Sequence, residues 1–515
     1  VQEWSEKASL SWHIDPTTII AGMKKVPSVI LPLIAVDRRV PKALYQQIYD
    51  AYRIAILEGR LRPGQRIPST RMLASELGVS RFPVLNAYAQ LLAEGYFESR
   101  VGAGTAVCGT LPDRFPASEP AFVRLEGSRS RPRPVARRTS FLHRFESPPW
   151  LRGLGAFGVG QVAFDQFPLR TWTNLVARRS RNMSAHSFHY GDYMGSEGLR
   201  EAVASYLRTS RSVRCEAEQV LIVGGSQQAL EISARVLLDP GSSVWVEDPG
   251  YRLARDAFAL TGCNLVPVPV DKDGLIVNEG IKQCPDARAA IVTPSHQFPL
   301  GATMSARRRL ELLNWAQNSG SWIIEDDYDS EYRYESAPIA SLQGLDTNER
   351  VIYIGTFSKV LFPSLRLGYL VVPGHLVERF LIVRRAMDIC PPSFYQDVVA
   401  DFINQGHFGR HIRRMRILYR ERRSVLVDHL SRELGSKVEV LGSEAGMHLT
   451  VTLQNGIDDA SIAARAARQS LWIWPLSGAY LGQEAHPGFI LGFGSTAAAD
   501  IPAAVRKLRN LLTSG

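Results

Sequence analysis

A chain of 515 residues with 45% hydrophobic content has the make-up of a soluble globular protein and is too long for one ordinary core, so two or more domains are expected. Its 60 Lys and Arg against 50 Asp and Glu give a net charge of +10, which favours a polyanionic partner. Cys108, Cys215, Cys263, Cys284 and Cys390 show no metal-type spacing and fit a reducing cytoplasm, no signal peptide is seen, and the apolar run Val26 to Val36, broken by two prolines, is far short of the ~20 residues that cross a bilayer.

Residues 1–40 carry Trp4 and Trp12 but no visible chemistry and are left unassigned. From Pro41 the pattern sharpens. Leu44, Ile48, Tyr52, Ala55 and Ile56 share one helical face, and Gly59 can close that helix. After a Pro63-Gly64 turn, Ser69 can cap a second helix that holds Leu73 and Leu77. Gly78 ends it, and Ser80 can cap a third running to about Glu94. Two short helices separated by GVS make a helix-turn-helix, and YFESR and TAVC flank VGAG as the strands of a hairpin. A winged helix of this kind places its third helix in a major groove, with Ser80, Arg81 and Phe82 nearest the DNA. Ser69, Thr70 and Arg71 would meet phosphate from the second helix, and Arg100 would meet phosphate or the minor groove from the wing. A three-helix protein-interaction module is the plainer alternative.

Residues 111–157 are rich in proline, serine and arginine, with five arginines between Arg129 and Arg138. They read as a flexible linker whose charge either adds nonspecific DNA affinity or only solvates a tether. Further on, VLIVGGSQQALEISARVLL is a strand, a Gly-Gly turn and an amphipathic helix, whose free N–H groups beside Ser226 and Gln227 can receive a phosphate. In VWVEDPGYRLARDAF a strand ends at a Pro-Gly turn carrying Tyr251, whose ring can stack on a flat ligand. In SWIIEDDYDSEYRY a short apolar strand, Trp322 to Ile324, runs into Asp326 and Tyr328.

The stretch VIYIGTFSKVLFPSLRLGY gives these pieces a common purpose: a strand delivers Lys359 into a site, with Ser358 beside it and Arg366 seven residues on. A lysine with hydroxyls and an arginine suits a phosphate-bearing aldehyde, because the amine condenses with the aldehyde while the other groups hold the phosphate. Pyridoxal phosphate is the candidate. Asp326 would then pair with its pyridine nitrogen and keep it protonated, and Tyr328 would hydrogen-bond its phenolate oxygen.

In this order the pieces from about residue 158 to 515 resemble fold type I aminotransferases, and LYQQIYDAYRIAILEGRLRPGQRIPSTRMLASELGVSR with AYAQLLAEGYFESRVGAGT resembles the GntR-family DNA-binding domain. A GntR-type winged helix (41–110), a linker (111–157) and an aminotransferase-like domain (158–515) together resemble the MocR subfamily of bacterial transcription regulators. The resemblance implies a multidomain chain: an N-terminal winged helix-turn-helix (α+β), and a C-terminal α/β domain of the pyridoxal-phosphate-dependent transferase fold type I. That domain would have a mixed, mostly parallel sheet and a smaller C-terminal α+β subdomain. It further implies pyridoxal 5'-phosphate on Lys359 as an internal aldimine, Asp326 at the pyridine nitrogen, Tyr328 at the phenolate oxygen and Tyr251 stacked on the ring. Ser226, Gln227, Ser358 and Arg366 would hold the phosphate, joined by Tyr190 from the other subunit of a head-to-tail cytoplasmic dimer.

Three stretches depart from those families. Phe82-Pro83 replaces the usual small polar pair in the recognition helix, which leaves the operator open. SHQFPLG puts Phe298 where aminotransferases place an asparagine, a form that favours regulator over enzyme; His296 beside it either packs against the site or is a satisfied core histidine, the second reading being slightly preferred. HPGFILGFG lacks the arginine that clamps an amino-acid carboxylate, so either another group supplies the charge or the effector has no carboxylate there. The expected function is a DNA-binding regulator whose aldimine reacts with an amine or amino-acid effector. The alternatives are a working aminotransferase with an accessory DNA-binding domain, and a regulator that senses pyridoxal phosphate itself.

Overall fold

The structure is a computed structural model, and it describes residues 36–100, 104–109 and 155–513 except 335–338 and 483, together with 34, 136, 139 and 153. The chain divides into two compact units, 1–132 and 133–515, each taken by itself below. The unassigned extension 1–40 and the linker 111–157 lie almost wholly outside the described residues.

In the first unit, α1 (Leu44–Leu57) buries Ile48, Tyr52, Ala55 and Ile56, the face that the helical spacing marks. A short strand β1 (Arg66–Ile67) precedes α2 (Thr70–Glu76) and α3 (Arg81–Ala93). Ser69 caps α2, its hydroxyl accepting from the Met72 N–H at 3.3 Å. Ser80 stands at the N-cap of α3 but makes no side-chain cap bond, contrary to the capping role expected of it. Gly78 turns the chain between the two helices at φ +62°, a left-handed conformation that a side chain would strain. Strands β2 (Phe97–Arg100) and β3 (Gly104–Val107) form the wing, with β3 paired antiparallel to both β1 and β2. Tyr52, Tyr88 and Phe97 meet edge to face at the centre, and the Tyr88 hydroxyl donates to Pro68 O at 2.9 Å, so the polar end of the cluster is satisfied.

In the second unit, helices α4 (Leu169–Arg181) and α5 (Glu197–Ser210) lead to an eight-stranded sheet. Its strands are β4 (Val220–Val223), β5 (Ser243–Asp248), β6 (Asn264–Asp271), β7 (Gly274–Leu275), β8 (Ala289–Val292), β9 (Trp322–Asp327), β10 (Val351–Thr356) and β11 (Gly368–Val371). Their order is β4-β11-β10-β9-β8-β5-β6-β7. The five strands from β10 to β6 run parallel, while β11, β4 and β7 are antiparallel to their neighbours, giving the mixed, mostly parallel sheet expected. Strands β4, β8 and β10 are buried along their whole length, which is why VLIV, AAIV and VIYIG read as unbroken apolar runs. Helix α6 (Ser226–Leu237) follows β4.

A second sheet of β12 (Glu439–Leu441), β13 (His448–Thr452), β14 (Trp474–Pro475) and β15 (Gly488–Gly492), all antiparallel, shares a core with helices His407–Leu434 and Ile501–Thr513. This is the smaller α+β subdomain. Among the described residues no helix is long and apolar enough to cross a membrane.

Candidate functional site

Parallel strands present their carboxyl ends on one edge of a sheet, where loops can gather chemistry that the strands hold rigid. At that edge, past β5, β8, β9 and β10, lies a cavity of about 320 Å³. Ser226, Gln227, Tyr251, Asp326, Tyr328, Ser358, Lys359 and Arg366 all line it, so the structure brings together eight of the nine cofactor residues that the sequence points to. The ninth, Tyr190, is 80% exposed and is not among the lining residues of this cavity.

Lys359 sits three residues beyond β10, and its Nζ donates to Gly160 O at 3.3 Å. Burial pulls its amine below the usual lysine value, opposed by the carboxylates of Asp329 and Asp326. The amine is thus held closer to its neutral, nucleophilic form. Gly160 is at φ +73°, and a side chain there would collide with Lys359 Nζ.

Strand β9 sets the acidic groups by alternation. Asp326 lines the cavity, whereas its neighbours Glu325 and Asp327 find partners elsewhere: Glu325 accepts from the Leu342 and Gln343 N–H groups at 2.8 and 2.9 Å, and Asp327 accepts from Arg211 Nε at 2.8 Å. Asp326 Oδ1 is buried and has no hydrogen-bond partner among the described residues. Burial, then the Asp327 carboxylate, pushes Asp326 up to about 7, with Lys359 pulling it back. A buried acceptor left in that state needs a proton donor in front of it.

The opposite end is cationic. Gly225, at φ +106°, is the N-cap of α6, and a Cβ there would stand 3.2 Å from the Arg366 guanidinium, so the glycine leaves the helix start open to the arginine. Arg366 itself is left-handed at φ +50°. The first amides of α6, Ser226, Ser358 and Arg366 all border this end. The Gln227 side chain donates one of its two amide hydrogens to Leu253 O at 2.8 Å, which fixes the amide while its second hydrogen and the backbone N–H stay available to an anion.

Tyr251 packs edge-on to Phe298, ring centres 5.5 Å apart. The Tyr328 hydroxyl donates to His296 O at 3.0 Å and lies 3.0 Å from His296 Nδ1. His296 Nδ1 also lies 3.1 Å from Asp329 Oδ1, and the ring is 2% exposed. The core placement expected of His296 is therefore accompanied by a direct bond to a cavity residue. His448 Nε2 donates to Pro299 O at 3.2 Å, and burial, with His296 nearby, depresses its pKa to about 3, so this ring is neutral. Gly160, Thr293, Asp329, Met447, His448 and Trp474 also line the cavity and went unmarked in the sequence. Only Asp329, three residues from Asp326 in the same acidic run, carried a local signal.

In the first unit, Ser69, Arg71, Ser80, Arg81 and Phe82 are exposed, and Thr70 half-buried, at the starts of α2 and α3. Arg81 Nε donates to Thr70 Oγ1 at 3.0 Å, tying the two helix starts together. Arg100 ends β2, its side chain lying outside what the structure describes.

Comparison with known families matches residues 44–107 to the bacterial regulatory proteins of the gntR family and residues 155–481 to aminotransferase class I and II. The chain is 38% identical to the probable rhizopine catabolism regulatory protein MocR of Rhizobium meliloti, over 93% of this chain and 95% of that one. It is 31% identical to the pyridoxine biosynthesis transcriptional regulator PdxR of Corynebacterium glutamicum, over 90% and 94% of the two chains. Among solved structures it resembles the α-aminoadipate aminotransferase LysN of Thermus thermophilus, complexed with N-(5'-phosphopyridoxyl)-L-leucine. The TM-score is 0.66 and the identity 28%, with 71% of this chain and 93% of that one covered.

Proposed function

The chain belongs to the MocR-type GntR-family transcription regulators, which join a DNA-binding winged helix to a fold type I aminotransferase domain for pyridoxal 5'-phosphate, and we propose that an amine or amino acid entering the Lys359 cavity changes how its winged helices engage an operator. The observation that carries this is a buried lysine amine flanked by one buried acid and one cationic, helix-start anion site, in a chain whose other unit is a DNA-binding fold.

The residues fit the cofactor. Asp326 Oδ1, buried and lacking a donor, would accept a hydrogen bond from the protonated ring nitrogen and, ionised against it, keep that proton in place. Arg366, Ser358, Ser226, Gln227 and the first amides of α6 would hold the phosphate. Tyr251 would cover one face of the ring, and the Tyr328 hydroxyl would serve the ring oxygen by turning to it the hydrogen that otherwise goes to His296 O. Tyr190 of the partner subunit would complete the phosphate site in a head-to-tail homodimer, a reading that its exposure supports.

When bound, the cofactor supplies an aldehyde carbon that takes either the lysine amine or that of an effector. With the cofactor bound, an effector amine would compete with Lys359 for that carbon; the freed lysine amine would take the proton that the effector's ammonium gives up, beside Asp326 and Asp329, and be held by Gly160 O. That new charge favours one arrangement of the domain over another, and an effector with unequal affinity for the two shifts their populations. The linker, residues 111–157, would pass the shift to the DNA-binding heads.

The deciding experiment is an absorption spectrum of the full chain with cofactor beside its Lys359→Ala variant, followed by titration with amines and amino acids while operator binding is read in parallel. The wild type should show a visible lysine-dependent band that effectors alter together with operator affinity. A colourless wild type would sink the sensing mechanism, and complete turnover with a keto acid would make the chain an enzyme.

A further inference from the structure

Helix α3 buries Val84, Ala87, Tyr88 and Leu91, so the face it turns outward carries Phe82, Leu85, Asn86 and Ala89 at the same helical spacing. Water is a poor environment for what stands there: the Phe82 phenyl is 70% exposed and Leu85 41% exposed, on the first turns of a helix that begins with Arg81. The surroundings suit a polyanion. Neither α2 nor α3 has an acid in its first turn, Arg71 and Arg81 are both exposed, and the Arg81–Thr70 bond holds the two helix starts side by side.

We propose that Phe82 is a specificity-determining residue that packs on the C5-methyl group of a thymine in the major groove, with Asn86 reading an adenine from the same face of α3. The proposal rests on the DNA-binding reading of the winged helix. An aromatic side chain has no hydrogen bond to offer a base edge, and the one apolar feature that edge presents is the thymine methyl. Asn86, one turn along, offers the donor and acceptor pair that matches N6 and N7 of adenine. Phosphate binding is left to Arg71 and Arg81, which carry no sequence information. Discrimination at this position therefore depends on a methyl group rather than on charge, and salt should not change it.

The test uses the full chain with cofactor and a pool of randomised duplexes, from which bound sequences are enriched. Each thymine of an enriched duplex is then replaced in turn by deoxyuridine, which removes only the methyl group. At one thymine position per half-site the wild type should lose about fourfold in affinity, the transfer free energy of one buried methyl. Phe82→Ala should bind the two duplexes equally, with the salt dependence of binding unchanged, and Phe82→Leu should keep part of the discrimination. Phe82 is exposed, so neither variant threatens the fold. Equal binding of thymine and deoxyuridine at every position by the wild type, or discrimination that persists in Phe82→Ala, overturns the proposal. A pool that enriches no sequence at all overturns the DNA-binding reading beneath it as well.

Discussion

Asp326 is 5% exposed, and its Oδ1 faces no donor among the described residues, so the cofactor-free protein tolerates its charge poorly. Its pKa near 7 lies above the 3.8 of an unfolded aspartate, so the folded chain holds this proton more tightly. The stability so contributed is full below pH 3.8 and is lost as pH rises towards 7. Asp326→Asn removes that dependence: cofactor-free wild type should lose ~2–3 kcal/mol more than the variant between pH 5 and pH 8 in urea denaturation, and equal losses would contradict the burial argument. Gly160 makes a second case, since its φ of +73° and the nearness of Lys359 Nζ both exclude a side chain. Gly160→Ala should cost about 1–2 kcal/mol in backbone strain and weaken cofactor binding further by displacing the lysine; an unchanged Kd for the cofactor would show that the amine has room to move. Lys359, Asp326 and Arg366 were legible because the short runs that carry them follow one another in an order that makes sense of each. Gly160 and His448 were not, because Gly160 reaches Lys359 across 199 positions of sequence and His448 enters the cavity from the second sheet.

At the scale of elements, the boundary of β9 is instructive. Its apolar start reads as a strand ending at Ile324, because three consecutive acids resemble a solvated turn, yet the strand continues to Asp327 and all three acids are buried. Tertiary partners outweigh the local pattern: backbone N–H groups take Glu325, and Arg211 and the Tyr353 hydroxyl take Asp327. Arg211 comes just after α5 and also donates to Ser295 Oγ at 2.7 Å and Ile339 O at 2.9 Å, so one guanidinium ties three loops to the strand. Arg211→Met should destabilise the domain by about 3–5 kcal/mol, because it leaves a buried carboxylate without its countercharge. Adding Asp327→Asn should recover part of that loss in chemical denaturation, and a double variant no better than the single would assign the loss to packing instead. The winged helix, by contrast, was legible to within a residue or two, since glycines and a capping serine mark its helix ends and the buried faces keep helical spacing.

For the whole molecule, the two activities proposed are bound by thermodynamic reciprocity. If an effector changes operator affinity by a factor, operator DNA must change effector affinity by the same factor, whatever route the coupling takes through the chain. A coupling of 1–3 kcal/mol would appear as a shift of about 5- to 150-fold in either direction, so effector titrations with and without saturating operator should differ by the ratio found in DNA binding. A chain that binds both ligands with no such shift would be two unconnected proteins joined end to end. The charge balance favoured a polyanionic partner from the outset, whereas the sheet order, with β11 reversed between β4 and the five parallel strands, could not be read from local patterns because it is set by pairings between distant segments.

Strands β10 and β11 pair antiparallel up to Thr356 opposite Gly368, and the loop that joins them carries both Lys359 and Arg366. The amine and the anion grip are thereby spaced by covalent chain between two fixed posts, like marks on a ruler. Exchanging side chains around the cavity leaves that spacing untouched, whereas a single residue inserted or deleted between those posts would put the two marks out of step.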